Sequence, residues 1–171
     1  FDRKKPGQVY LRYSNPTVEA FENAVANLEN AEAAQAYGSG MAAIHAALLG
    51  AGVKSGTSIV AALDVYGTTF TLLNNLFANL GVTVRMVDVT DHDEVAQALK
   101  ETAAGVLYVE SISNPLLKVA DIPALAKLAH QHNASLLVDN TFASPYLLNP
   151  MEHDADYVIH SATKYLAGHG D

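Results

Sequence analysis

The feature of this chain that most constrains its fold is an alternation between short apolar segments and segments of helical periodicity. The apolar segments are rich in Val, Ile and Leu, the composition of strands that are buried on both faces. They cover residues 58–63, 82–87, 105–110, 135–140 and 156–160. Helical patterns lie between them at about 68–80, 92–101 and 122–132. Strands that alternate with helices predict crossover connections, so we expect an α/β fold with a mostly parallel sheet flanked by helices.

A further helix is expected near the start of the chain. It should begin at Thr17, whose hydroxyl can cap the first free amides of the helix. After it, Val18, Phe21, Val25 and Leu28 recur at spacings of three and four residues, which places them on one helix face.

Composition narrows the classes of protein to which the chain can belong. Its 171 residues amount to about one domain, and half of them are hydrophobic, which is enough to build a sizeable core. The formal charge of −8 makes nucleic acid and acidic membrane surfaces poor partners. No apolar segment reaches the roughly 20 residues of a membrane span.

The absence of cysteine and the two chain ends carry further expectations. Without cysteine there are no disulfides, thiol nucleophiles, iron–sulfur clusters or cysteine zinc sites. This fits a reducing compartment, and we expect a cytoplasmic protein. The chain begins on Phe1 rather than Met and stops at Asp171 among small polar residues, so we expect it to be part of a longer protein.

The predicted strands end on ionisable residues. In open parallel sheets, ligands bind beyond the carboxyl ends of the strands. The residues at those ends are Asp64, Asp88, Glu110, Asp139 and His160. They predict a polar site along one edge of the sheet, although any strand must become polar where it meets water.

A glycine-containing turn precedes the second predicted helix. Gly38, Ser39 and Gly40 come directly before a helix of small and apolar residues, and such a turn exposes amides that suit a phosphate. Together with Ala43 and Asp64, the two glycines also satisfy the loose dinucleotide fingerprint. A nicotinamide-dependent oxidoreductase is therefore an alternative, and so is a plain turn between two elements.

Lys164 and Asp139 point to a more specific chemistry. Lys164 follows an apolar strand and lies among the small hydroxyl residues Ser161 and Thr163, where loss of hydration lowers the pKa of a lysine and makes it a better nucleophile. Asp139 ends an apolar strand, and a buried carboxylate needs a cationic or hydrogen-bonding partner. A lysine Schiff base with an aspartate facing a pyridinium nitrogen is the hallmark of pyridoxal-phosphate sites. A surface lysine and a turn-capping aspartate are the alternatives.

Three other strand-end residues can contribute to a ligand site. Tyr66 lies between a strand and a helix, where an aromatic ring can stack on a flat cofactor. Glu110 and Asn114 belong to a proline-terminated loop that can present polar groups to a ligand.

Metal binding is not indicated by the histidine pattern. His130 and His132 are two residues apart on a predicted helix and therefore face different directions. His160, His169 and Asp171 lack any recognised ligand spacing. We expect no metal site.

Six motifs follow one another along almost the whole chain, and together they resemble the Cys/Met-metabolism family of pyridoxal-phosphate enzymes. This family includes cystathionine γ-synthase, cystathionine γ-lyase, methionine γ-lyase and O-acetylhomoserine sulfhydrylase. The motifs are YLRYSNPT at 10–17, YGSGMAAI at 37–44, VYGTTF at 65–70, VESISNPLLKVADI at 109–122, VDNTFASPYLLNP at 138–150 and HSATKYLAGHGD at 160–171.

The resemblance implies an organisation into domains and subunits. Residues 17–171 would form the pyridoxal-phosphate-binding large domain of fold-type I enzymes, cut before the C-terminal domain. Residues 1–16 would be an arm that reaches a neighbouring subunit, where Tyr10 and Arg12 bind the cofactor phosphate. A homo-oligomer follows from this, at least a dimer and commonly a tetramer.

The resemblance also implies roles for individual residues. Lys164 would hold the cofactor as a Schiff base and move protons, and Tyr66 would stack on the ring and assist proton transfer at the leaving group. Asp139 would keep the pyridine nitrogen protonated. The implied cofactor-binding residues are Tyr10, Arg12, Ser39, Gly40, Met41, Tyr66, Glu110, Asn114, Asp139, Ser161, Thr163 and Lys164.

The implied function is γ-elimination at a carbon–sulfur bond of cystathionine, methionine or a homocysteine-like substrate. γ-Replacement by a transferase is the main alternative, and a fragment without enzymatic activity is a third. The arginine that binds the substrate carboxylate would lie beyond Asp171. Thr68 stands where methionine γ-lyases commonly have cysteine, which counts modestly against a dedicated methionine lyase. The SISNP and SATKY segments suit γ-type members better than β-lyases.

Overall fold

Five parallel strands form the centre of the computed structural model, which describes residues 10–11 and 13–169. The strands are β1 (Ser58–Ala62), β2 (Thr83–Val87), β3 (Val106–Glu110), β4 (Ser135–Asp139) and β5 (Tyr157–Ile159). Their order across the sheet is β2-β1-β3-β4-β5, and every neighbouring pair is parallel. Each predicted strand is confirmed to within one residue at either end.

Helices connect the strands and cover the sheet. They are α1 (Pro16–Glu29), α2 (Gly40–Gly50), α3 (Gly67–Thr71), α4 (His92–Thr102), α5 (Ile122–Gln131) and α6 (Ser144–Leu147), with a 3₁₀ turn at Pro150–His153. In the part of the chain that the structure describes, no helix combines the length and the apolar character that a membrane span requires.

Helix α1 begins earlier than the sequence predicts. The capping residue is Asn15 rather than Thr17, and its side-chain oxygen accepts the amide of Thr17 at 3.0 Å. Pro16 then occupies the first helical position, where its missing N–H costs nothing and its fixed φ suits the helix. The apolar face of α1 is largely exposed, with Phe21 and Leu28 exposed by 44% and 55%.

The helix predicted at 68–80 is present but is not uniform. After α3 the chain continues as a π-helical segment, Leu72–Phe77, which buries Leu73 and Phe77 against the sheet. A wider helical turn is a tertiary feature, and the spacing of apolar residues in the sequence does not distinguish it from an α-helix.

The two faces of the sheet carry separate apolar cores. Leu107 on β3 packs with Val95 of α4 and Leu125 of α5 on one face, whereas Tyr108 packs with Leu48 of α2 on the other. This alternation follows from the two-residue period of a strand. Because all five strands run in the same direction, their carboxyl ends meet at one edge, where the loops carry the polar residues.

Candidate functional site

A cavity of about 210 Å³ opens at the carboxyl edge of the sheet. It lies between the N-terminus of α2, the loops after β1, β3 and β4, and the segment after β5. Most of the predicted site residues line it, namely Ser39, Gly40, Met41, Tyr66, Glu110, Asn114, Asp139, Ser161, Thr163 and Lys164.

Of the two arm residues predicted for the site, the structure describes only Tyr10. Tyr10 is 41% exposed and is not among the residues that line the cavity, and Arg12 lies outside the described residues. Because both were predicted to act on a neighbouring subunit, their assignment stays a prediction.

Four further residues line the cavity that the sequence had not singled out. They are Ile44, Ile112, Thr141 and Phe142. Thr141 and Phe142 could have been found, because they lie two and three residues after the strand-end Asp139. Ile44 and Ile112 look like ordinary core residues in the sequence, and only the packing shows their place.

The N-terminus of α2 forms one wall of the cavity. Ser39 caps the helix, its hydroxyl oxygen accepting the amide of Ala42 at 3.1 Å. The amides of Gly40 and Met41 lie in the first helical turn, where amides have no partner within the helix and favour an anion. A Cβ on Gly40 would lie 2.9 Å from the Cβ of Ser161, so only glycine permits this close approach.

Lys164 approaches the same wall from the segment after β5. Its Nζ donates to the Ser161 hydroxyl at 3.3 Å. Among the described residues, no carboxylate lies within 4.0 Å of this amine. Lys164 is exposed in the structure, so the loss of hydration expected from its small neighbours is not seen. The amine is held by a hydroxyl and points into an accessible cavity.

Asp139 lies at the floor of the cavity with both carboxylate oxygens engaged. Oδ1 accepts the amide of Thr141 at 3.0 Å and also its hydroxyl, while Oδ2 accepts the hydroxyl of Tyr108 at 3.4 Å. Oδ1 therefore caps the turn that follows β4, which is the alternative role that the sequence left open for Asp139. Burial raises the pKa of Asp139, and the hydrogen bonds from Thr141 and the nearby His160 act in the opposite direction. A carboxylate in such surroundings gains from a cationic partner.

Glu110 connects two loops at the cavity wall. Its Oε1 accepts the amide of Tyr66 at 2.6 Å, and its Oε2 accepts the amide of Asn114 at 3.1 Å. Glu110 is buried, with 7% of its surface exposed. Burial raises the pKa of Glu110 to about 7, the charge of Asp139 adds to the effect, and the two amides oppose it.

The other polar strand ends do not join the cavity, contrary to the prediction of one polar edge. Lys118 binds Asp64 at 2.6 Å and Asp88 at 3.1 Å, and the hydrogen bonds that it donates to these two carboxylates raise its pKa. His160 turns to the opposite side and contacts Glu29. A strand end can point to either face of the sheet, and the sequence does not show which.

Within the described residues, no group of three His, Cys, Asp or Glu side chains could hold a metal ion. His130 instead pairs with Asp156 at 2.9 Å.

Comparison with known proteins shows where this arrangement belongs. Residues 1–171 match the family described as Cys/Met metabolism PLP-dependent enzyme. The chain belongs to this family. Its cofactor is pyridoxal phosphate, and the match favours that cofactor over the nicotinamide alternative.

Members of the family with different activities are similarly related to the chain. It is 44% identical over 172 residues to L-methionine γ-lyase of Fusobacterium nucleatum, covering 100% of this chain and 43% of the relative. It is 45% identical over 162 residues to cystathionine β-lyase of Lactococcus lactis subsp. cremoris, covering 95% and 42%. The chain therefore spans less than half the length of these curated relatives.

A solved structure shows the same fold with the cofactor attached. The protein, assigned as an O-acetylhomoserine (thiol)-lyase of Campylobacter jejuni, superposes with a TM-score of 0.90 at 33% identity, covering 99% of this chain and 41% of that one. It carries N′-pyridoxyl-lysine-5′-monophosphate. The α/β fold of the chain is thus that of the fold-type I enzymes of this family.

The residues around the cavity fit pyridoxal phosphate chemically. Gly40 and Met41, whose amides belong to the first turn of α2, line the cavity and suit a phosphate. Asp139 offers a buried carboxylate whose ionised form a cationic neighbour would stabilise, and Lys164 offers an amine without an acidic partner among the described residues.

Proposed function

We propose that the protein containing this chain catalyses pyridoxal-phosphate-dependent γ-elimination at a carbon–sulfur bond of cystathionine, methionine or a homocysteine-like amino acid. The observation that carries the proposal is the convergence of Lys164, Asp139 and the N-terminus of α2 on one cavity. The similarity to L-methionine γ-lyase supports a sulfur amino acid as substrate.

The proposed binding roles follow from the chemistry of each group. The amides of Gly40 and Met41, with the hydroxyls of Ser161 and Thr163, would hold the phosphate. Asp139 would accept a hydrogen bond from the ring nitrogen and favour its protonated form, because the charge pair offsets the cost of burying the carboxylate.

Three further residues would orient the cofactor ring and its loops. Tyr66 would stack on the ring, Asn114 would lie near the ring hydroxyl, and Glu110 would hold the loops that carry both.

The proposed catalytic roles concern proton movement. Bound pyridoxal phosphate supplies an electron sink for the negative charge that proton removal leaves on the substrate. Lys164 would take the proton from the α-carbon, and loss of a second proton, from the β-carbon, would allow the sulfur substituent to leave. Tyr66, which is 47% exposed at the cavity, would assist proton transfer at the leaving group.

The proposal includes assembly and location. The arm over residues 1–16 would reach a neighbouring subunit and place Tyr10 and Arg12 at its phosphate site, in a homo-oligomer that is at least a dimer and commonly a tetramer. The absence of cysteine supports a cytoplasmic location.

γ-Replacement by a transferase is the second candidate. It is supported by the likeness to the protein assigned as an O-acetylhomoserine (thiol)-lyase, although a cystathionine γ-lyase of Lactobacillus plantarum superposes equally well, with TM-scores of 0.90 and 0.91. The 45% identity to a cystathionine β-lyase shows that identity over this part of the chain does not separate the activities.

Cofactor attachment is the first test. The full-length protein should be yellow, and borohydride reduction should fix pyridoxal phosphate on the peptide that contains Lys164. Lys164→Ala should abolish both fixation and turnover, because it removes the only proposed amine, whereas Lys127→Ala should preserve them. A colourless wild-type protein that gains no absorbance with added pyridoxal phosphate would refute the proposal.

Turnover of cystathionine, methionine and O-acetylhomoserine separates the two candidates. γ-Elimination converts a sulfur amino acid and water into a thiol, ammonia and a 2-oxo acid, and it needs no second organic substrate. γ-Replacement instead requires an added thiol or sulfide and consumes O-acetylhomoserine. The transferase would be favoured if O-acetylhomoserine alone released a 2-oxo acid and if an added thiol replaced its acetoxy group.

A further inference from the structure

A second polar cluster lies buried behind the wall of the cofactor cavity. It consists of Glu29, Asn140 and His160, which come from the C-terminal end of α1 and from the positions directly after β4 and β5. Glu29 is 2% exposed and Asn140 is fully buried, and the side chain of His160 is 5% exposed. None of the three lines the cofactor cavity.

One carboxylate oxygen holds the cluster together. Glu29 Oε1 accepts a hydrogen bond from Asn140 Nδ2 at 3.2 Å and lies 2.5 Å from His160 Nε2. Asn140 Nδ2 also donates to the carbonyl of Leu148 at 2.9 Å. Glu29 therefore joins two loops that leave neighbouring strands of the sheet.

Those two loops are the ones that carry the cofactor residues. Asn140 directly follows Asp139, and His160 directly precedes Ser161. On the cavity side, the amide of Ser161 donates to the hydroxyl of Thr141 at 2.9 Å. The two segments are thus linked through Thr141 on the side that faces the cavity and through Glu29 on the side away from it.

The polar composition of this cluster costs stability. Within the described residues, Glu29 Oε2, Asn140 Oδ1 and His160 Nδ1 have no hydrogen-bond partner. A buried carboxylate and unsatisfied polar atoms lower the stability of a fold relative to apolar residues of similar volume. Such a departure from good packing is expected where a side chain serves the functional site.

We propose that Glu29 is a positioning residue of the cofactor site: by joining Asn140 to His160, its carboxylate sets the spacing between Asp139 and the segment from Ser161 to Lys164. The inference rests on the proposed function, since these are the groups that would hold the ring nitrogen, the phosphate and the amine. Glu29 itself touches none of them.

The cluster could instead act electrostatically, through the charge of His160 on Asp139. This alternative makes a different prediction from positioning, and experiment can separate the two. The titratable groups that act on Asp139 are His160, Tyr108 and Glu110. The charge of His160 lowers the pKa of Asp139, and so does the hydrogen bond from Tyr108. Replacing His160 by Gln removes any charge but keeps an N–H that can donate to Glu29. Positioning survives this substitution, whereas an electrostatic role does not.

The test uses the full-length holoenzyme in five forms: wild type, Glu29→Ala, His160→Gln, the double variant that combines Glu29→Ala with His160→Ala, and the control Glu19→Ala. Glu19 is an exposed carboxylate on the same helix. The readouts are the dissociation constant of pyridoxal phosphate and the visible circular dichroism of the bound cofactor, which reports the orientation of its ring.

Glu29→Ala should weaken pyridoxal phosphate binding about tenfold and change the dichroism, because two buried donors lose their shared acceptor. The dissociation constant of His160→Gln should stay within about twofold of the wild-type value, and that of Glu19→Ala should equal the wild-type value. Adding His160→Ala to Glu29→Ala should lower the affinity for pyridoxal phosphate little further than Glu29→Ala alone, because the two substitutions break the same contact.

Three outcomes would overturn the inference. The first is unchanged affinity and dichroism in Glu29→Ala. The second is a lower melting temperature with unchanged dichroism, which would show that Glu29 is merely structural. The third is a loss of affinity for pyridoxal phosphate in His160→Gln that is as large as the loss in Glu29→Ala. Should Glu29→Ala fail to fold, His160→Ala breaks the contact from the other side and must show the same losses. A wild-type protein that binds no pyridoxal phosphate would instead refute the proposed function itself.

Discussion

Gly40 occupies the closest approach between two parts of the candidate site. A Cβ built there would lie 2.9 Å from the Cβ of Ser161 and 3.2 Å from its hydroxyl oxygen. Gly38, two residues earlier in the same turn, has no heavy atom within 4 Å of the corresponding position. The two glycines therefore differ in what they do, although they look alike in the sequence.

This difference gives a matched pair of variants. Gly40→Ala should weaken pyridoxal phosphate binding by the full-length protein about tenfold or more, because Ser161 must shift away from the proposed phosphate site. Gly38→Ala should bind the cofactor like the wild type. The measurement is the dissociation constant of pyridoxal phosphate, and equal constants for the two variants would contradict the assignment.

Glu110 acts at the scale of elements, because it joins the start of α3 to the loop after β3. The two backbone amides that it binds belong to Tyr66 and Asn114. Burial raises its pKa from 4.5 to about 7, so the folded protein retains a proton on Glu110 that the unfolded chain releases near pH 4.5. Stability should then fall as pH rises from about 4.5 to about 7 and should level off above this range.

The variant Glu110→Gln tests this linkage in the full-length protein freed of cofactor. The wild type should lose up to about 3 kcal/mol of unfolding free energy across this range relative to the variant, since each pKa unit corresponds to about 1.4 kcal/mol. Melting temperatures measured at several pH values provide the comparison. Glu101→Gln, at an exposed ion pair with Arg85, should retain the wild-type slope. Identical slopes for wild type and Glu110→Gln would show that Glu110 does not titrate as expected.

At the scale of the whole molecule, the proposed arm makes each site depend on two subunits. Full-length Arg12→Ala and Lys164→Ala should each be inactive as homo-oligomers. Mixed oligomers of the two should regain part of the activity, because some sites then combine an intact arm from one subunit with an intact lysine from the other. Turnover after co-expression measures this, with each variant alone as the control. Mixed oligomers that remain inactive would contradict a site shared between subunits.

The fold could be predicted from the sequence because strand burial leaves a local signature. Each apolar segment, from 58–63 to 156–160, became a strand, since residues buried on both faces must be apolar. Helix ends were less predictable. Asn15 caps α1 in place of Thr17 because the proline after it suits the first helical position.

The candidate site was predictable to the extent that its residues lie in motifs. Lys164 and Asp139 could be named because each lies in one of the six ordered motifs that resemble the family. Ile44 and Ile112 could not be named, since an apolar residue that lines a cavity looks the same in the sequence as one in the core. Asp64 and Asp88 were wrongly grouped with the site because their partner, Lys118, lies far along the chain.

The sequence by itself determined the α/β class, the order of the elements and the family, because these depend on local patterns and ordered motifs. Only the tertiary structure decided which strand-end side chains face the cavity. Asp139 faces it, whereas Asn140 beside it and His160 turn to Glu29 on α1. The physical reason is that successive residues at a strand end point to opposite faces, and contacts between distant segments decide what each face meets.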